Sequence, residues 1–195
     1  IIYDEVNTNM VTKSKDKKVL WSEIKRELTQ YNQVQLLEMV SALYSLSTDN
    51  KRFIEAKVVN DDNILEKYRE IISRSISTEA PWLKSHQLSL KTAKKAISDY
   101  KKATGNIEDT MDLMIYYVER GTQFTQAFGD IDESFYNSME SMFESILKLM
   151  SSNSYPDKFL TRLEDIVKES RDMGWGYYDN LKYMLEKWQE QKSIL

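Results

Sequence analysis

Apolar residues return at every third or fourth position, in stretches of about 12 to 20 residues, from Val19 through to Trp188. Short polar turns separate the stretches. That period lines up one apolar stripe along one side of an α-helix, and a stripe of this kind has to be covered by another helix. No segment alternates apolar and polar residues convincingly enough to compete as a strand. The pattern predicts an all-α fold: an irregular array of about nine helices in antiparallel hairpins, an α-solenoid-like stack or a bundle.

The first predicted helix runs from about Val19 to Tyr31, with Leu20, Trp21, Ile24, Leu28 and Tyr31 on its inner face. Asn32 caps a second, which turns Leu36, Leu37, Val40, Leu43 and Tyr44 inward. A short third passes through Phe53 and Ala56, and a fourth buries Ile64, Leu65, Tyr68, Ile71, Ile72 and Ile76. These four are expected to form two hairpins. Residues 77–88, around Pro81 and Trp82, interrupt the period and mark the best sub-boundary within one domain spanning 19–195. A fifth helix is then defined by Leu90, Ala93, Ala96, Ile97, Tyr100 and Ala103 and stops at Gly105. The sixth carries Ile107, Met111, Met114, Ile115, Val118 and Phe124, and the seventh Phe135, Met139, Met142, Phe143, Ile146, Leu147 and Met150. Pro156 opens an eighth around Phe159, Leu160, Leu163, Ile166 and Val167, and a ninth holds Tyr177, Leu181, Met184, Leu185 and Trp188. Residues 1–18 have no helical period. They read as a poorly ordered arm, with 1–9 an added or trimmed end before Met10, and the arm's lysines partly balanced by Asp4, Glu5 and Asp16.

Composition removes whole classes of chemistry. The chain has no cysteine, so disulfides, thiolate nucleophiles and zinc ribbons are excluded, and a reducing cytoplasm is the expected setting. No apolar run approaches the roughly 20 residues that cross a bilayer, so no membrane partner is expected. A net charge of −4 argues against a general nucleic-acid coat. His86 is the one histidine, so paired-histidine metal sites cannot be built within the chain, and its place in the polar linker reads as a solvated loop residue. No catalytic residue, cofactor or metal site is assigned.

Two local motifs need weighing. In Gly129-Asp130-Ile131-Asp132-Glu133, clustered carboxylates suggest a cation. The helix reading takes precedence: Gly129 ends one helix, Asp130 caps the next, and Glu133 completes a capping box. In Gly174-Trp175-Gly176-Tyr177-Tyr178, paired glycines around a tryptophan predict a helix–helix corner packed by Trp175. The alternative is an aromatic ligand pocket using Trp175, Tyr177 and Tyr178, with Trp82 near it.

The charge distribution is the strongest functional signal. Between residues 84 and 102, six lysines face one acid, Asp99, for a balance of +5. Between 105 and 145, nine acids face Arg120 alone, for −8. Either the two regions attract and solvate each other, or one is a docking surface for a charged partner. The docking reading rests on Lys91, Lys94, Lys95, Lys101 and Lys102, opposite the buried face of the fifth helix.

Several stretches, ELTQYNQVQLLEMVSALYSLSTDNKRFIEAK from Glu27, AKKAISDYKKATG from Ala93, MIYYVERGTQFTQAFGDIDESFYNSMESM from Met114 and GWGYY from Gly174, resemble an uncharacterised prokaryotic all-helical family known only as a domain of unknown function. The resemblance implies an intracellular helical protein and brings no activity and no site residues with it.

Together these readings predict a non-enzymatic helical binding or scaffolding module whose partner is another protein. One alternative is a nucleic-acid-associated protein using the basic helix at 84–102. Another is an enzyme of unrecognised type with carboxylates at Asp130, Asp132 and Glu133.

Overall fold

The computed structural model describes residues 19–59, 63–78, 88–152 and 155–193. Among them, nine helices and no strand are formed: α1 (Trp21–Leu28), α2 (Gln33–Leu46), α3 (Thr48–Val58), α4 (Ile64–Ser75), α5 (Leu90–Thr104), α6 (Ile107–Phe128), α7 (Glu133–Ser152), α8 (Asp157–Glu169) and α9 (Tyr177–Ser193). The all-α architecture follows the helical period of the sequence. The contacts separate two units, Ile1–Thr48 and Asp49–Leu195. The arm at 1–18 and the linker residues Pro81, Trp82, Lys84 and His86 lie outside the described residues.

In the first unit, Asn32 caps α2 as its sequence predicts. Its side chain accepts from the Gln35 backbone N–H, and the Gln35 side chain accepts from the Asn32 N–H, both at 2.9 Å. The burial expected of this unit is not found. Neither α1 nor α2 buries a single residue, and Leu20, Trp21, Ile24, Leu36, Leu37 and Val40 are all exposed. The two helices do not pack extensively on each other, so the stripes expected to face inward stay in water. The hairpin expected of α3 and α4 is likewise replaced, because α4 packs mainly on α5 and α6.

The second unit is organised around α6, which packs against α4, α5, α7 and α8. Because neighbours surround it, α6 buries more than the one predicted stripe. Leu113, Tyr117, Thr110, Gly121, Thr122 and Thr125 are buried beside Met111, Met114, Ile115 and Val118. Gly121 is where α7 comes closest. A Cβ there would collide with the Met139 sulfur and would stand 2.7 Å from its Cε. Two residues join α5 to α6 and four join α6 to α7, too few for a crossover, so each packed pair runs antiparallel. α9 closes the unit against α7 and α8.

The predicted phase of α5 is observed: Ala93, Ala96, Ile97, Tyr100 and Ala103 are all buried, and Leu90, in the first turn, is partly buried. The sub-boundary expected at 77–88 falls largely on residues 79–87, outside those described. On either side of it α4 and α5 pack together, and the Ser89 N–H donates to the Ser75 carbonyl at 2.9 Å.

Candidate functional site

Helix α5 is fixed at both ends. The Ser89 hydroxyl accepts from the Thr92 N–H, and Gly105 takes the left-handed conformation (φ 69°) that returns its N–H to the Lys101 carbonyl. Lys101 and Lys102 in the last turn favour the negative end of the helix dipole. With small residues filling the inner face, α5 lies close against the core and its lysines are carried outward. At 100° per residue, Lys91, Lys94, Lys95, Ser98, Lys101 and Lys102 share an arc of about 120° opposite the buried face.

The five lysines are not equivalent. Lys95 is committed: its ammonium donates to Asp99 at 2.5 Å and to Asp49 of α3 at 2.8 Å, and Arg52 also pairs with Asp49. The hydrogen bonds from Lys95 and then Arg52 hold the Asp49 carboxyl below its ordinary range, and those to Asp49 and Asp99 raise Lys95. Lys94 donates to the Ser138 hydroxyl on α7 at 2.9 Å. Lys91, Lys101 and Lys102 are exposed and have no hydrogen-bond or ion-pair partner among the described residues.

The acid-rich stretch behaves oppositely. Asp112 of α6 receives Arg69 of α4 at 2.5 Å and Arg162 of α8 at 2.6 Å. Arg162 also grips Glu119 through two parallel bonds, of 2.6 and 2.8 Å. Burial works against the charged form of Arg162, but its bonds to Glu119 and Asp112 outweigh this and leave it above its ordinary value. Glu108 pairs with Lys158 and Glu144 with Lys148. Asp109 accepts from the Tyr100 hydroxyl at 2.6 Å and from Asn106 at 2.7 Å. The predicted attraction between the acidic stretch and the α5 lysines is therefore not what neutralises these acids. Arginines from α4 and α8 do much of it. Sequence reasoning missed this network because its partners lie 43 and 50 positions apart, beyond any helical spacing rule.

The motif at 129–133 also needs correction. Asp132, not Asp130, caps α7: its carboxylate accepts the Phe135 N–H at 2.9 Å and the Ser134 hydroxyl at 2.6 Å. Asp130 instead joins two loops. It accepts the Tyr136 hydroxyl at 2.6 Å and the Gly174 N–H at 2.9 Å, and these bonds hold its carboxyl below the ordinary range. Burial, and then the bond to Asp130, push the Tyr136 hydroxyl up to about 12. Gly174 is needed there, since a Cβ would strike the Asp130 carboxylate. Among the described residues, no group of three or more histidines or acids is placed to hold a metal ion.

The aromatic corner is divided rather than gathered. Trp175, expected to pack it, is 57% exposed and adopts φ 59°, while Tyr177 is 1% exposed, within the core beside Thr122. Tyr178 is half-buried under the Lys182 ammonium. The corner is held by the Asp130–Gly174 bond, with Tyr177 beneath it, and Trp175, Tyr177 and Tyr178 face three different environments.

One arrangement has the residue types of a nucleophile and base. Ser138 lies between the Lys94 ammonium and the Tyr117 hydroxyl, the latter at 2.8 Å. Burial raises Tyr117 to about 12. Lys94 is exposed, and mid-helix N–H groups around Ser138 are spent on the helix, so among the described residues no backbone of α7 offers it an oxyanion donor. This chain of hydrogen bonds links Lys94 of α5 to Tyr117 of α6 through Ser138 of α7. A cavity of about 570 Å³ between the ends of α3 and α5 and the start of α4 is walled by Tyr100, Asn106 and Asp109, whose polar groups are bonded to one another. No described helix is long and apolar enough to cross a membrane. Comparison of the whole chain with protein-family models, with curated proteins and with solved structures finds no match.

Proposed function

We propose that this protein is a non-enzymatic helical binding module whose α5 lysine face docks an acidic segment of another protein. One observation carries the reading. Lys91, Lys101 and Lys102 stand exposed without a counter-charge among the described residues, while Glu108, Asp112, Glu119 and Glu144 of the acid-rich α6–α7 region are paired with cations of their own unit outside α5. A basic face left open in this way steers encounter with an acidic partner. The stripe from Lys91 to Lys102 is about 17 Å long, three turns of helix, so it matches carboxylates repeated along an acidic helix or strand. Lysines alone, without an arginine fork or an aromatic stacking platform on the stripe, suit carboxylates better than nucleic-acid bases. A cysteine-free chain suits a reducing compartment, and the reading places the module in the cytoplasm.

The test is charge reversal. Lys91→Glu, Lys101→Glu and Lys102→Glu together should leave the melting temperature within a few degrees, since these side chains support no described contact. The same triple variant should lose binding to an acidic helical peptide, with the wild type binding faster at low salt than at high salt. Peptide binding unaffected by the reversal overturns the proposal. Tight duplex DNA binding at physiological salt, lost in the variant, replaces it with the nucleic-acid reading.

A further inference from the structure

The first unit shows a second surface of a different character. Along α2, Leu36, Met39, Val40, Leu43 and Leu46 recur at three- and four-residue steps, and with Leu37 and Tyr44 they span about half of the helix circumference. Leu37 is 61% exposed and Leu46 74%. Glu38 is the one charged residue of α2, and it lies on the opposite side. α1 adds Leu20, Trp21 and Ile24, with Trp21 67% exposed. A 14-residue helix that is apolar over half its circumference is marginal alone in water and becomes stable when that half is covered.

We propose that this face is covered by the same face of a second copy of the chain, forming a homodimer. Two properties point to a copy of itself. The first is charge. Over residues 19–48, Lys25 and Arg26 stand against Glu23, Glu27 and Glu38, two positive and three negative, a net of −1. Such a face does not repel itself, and it offers a strongly charged partner little to recognise. The chain's overall −4 acts from farther away and is screened beyond about 8 Å at physiological salt. The second is area. The fractional exposures of Leu20, Trp21, Ile24, Leu36, Leu37, Val40, Leu43 and Leu46 leave at most roughly 800 Å² per chain over α1 and α2 together, so a contact drawing on both helices can reach the contribution of each partner to a stable interface of standard size. A twofold contact needs one self-complementary patch, and a band of leucines with mixed, near-zero charge meets that requirement.

The surface is distinct from the α5 lysines, so the two proposals fail separately. Sedimentation equilibrium of the full chain over a concentration series, micromolar to hundreds of micromolar, should give the mass of two chains. Leu36→Glu with Val40→Glu should give the mass of one chain, with acidic-peptide binding unchanged and any loss of helix content by circular dichroism no larger than the share of α1 and α2. Leu36→Ala with Val40→Ala keeps good helix formers and removes only apolar area, and should weaken the dimer by at least about tenfold. A wild type that stays monomeric throughout overturns the inference, including the case in which an unrelated protein occupies the face. So does a dimer that survives both pairs of substitutions, since it would use another surface.

Discussion

Gly121→Ala measures how closely α6 and α7 approach, and two opposing terms set its size. In an exposed helix interior, alanine stabilises over glycine by about 1 kcal/mol. At Gly121 the new methyl meets Met139, whose Cγ lies 3.2 Å and Cε 2.7 Å from the Cβ position, with the sulfur closer still. A thioether moves easily where there is space, but Met139 is 0% exposed and shares its helix with buried Phe135 and Phe143. Overpacking of a filled core costs about 1–3 kcal/mol, so it offsets the propensity gain and leaves the variant less stable by up to about 2 kcal/mol. The decisive comparison is the same substitution made in a Met139→Ala background. There the methyl enters vacated space, and Gly121→Ala should become stabilising by about 1 kcal/mol, a coupling of about 1–3 kcal/mol between the two sites. Urea denaturation of the four chains, followed at the helical circular dichroism band, gives every term. A Gly121→Ala chain that gains stability in the wild-type background would refute the close approach.

Other perturbations test other parts. Arg162→Met removes the bidentate partner of Glu119 and one of the two arginines on Asp112; with side-chain exposures of 25%, 23% and 13%, the loss should be about 2–4 kcal/mol, while adding Glu119→Met should restore much of it. A single-substitution loss under about half a kcal/mol would mean that water screens the network. Asp130 has its folded pKa lowered below 3.8, so its contribution is present above that value and disappears as pH falls through the folded pKa. The melting-temperature gap between wild type and Asp130→Asn should therefore be open at neutral pH and narrow as pH falls below 3.8; a gap that does not narrow with acid would show that the carboxylate charge is not what binds the Tyr136 and Gly174 donors.

The inner face of α5 was legible because its period has one solution: Ala93, Ala96, Ile97, Tyr100 and Ala103 can share a side only as a helix, and small residues signal close packing. The same period along α2 correctly indicated a helix but carried no information about whether anything covers it, which is a property of neighbours. At 129–133, Gly129 rightly ends α6, yet a four-residue connection shifts the cap from Asp130 to Asp132. Either aspartate satisfies the composition rule, and backbone geometry alone selects between them. The lysine stripe was visible, whereas the division into committed Lys95 and open Lys91, Lys101 and Lys102 depends on Asp49, 46 positions away.

Because α6 gives different sides to α4 with α5, to α7 and to α8, it belongs to no half of its unit. A chain severed within it would leave two fragments, α4 with α5 on one side and α7 to α9 on the other, each packed within itself but missing part of the wall that α6 supplies. Gene fusions, split reporters and permuted termini would have to spare this segment. Amide protons along its buried turns should exchange only when the whole unit opens, which makes α6 the natural internal gauge of the unit's global unfolding.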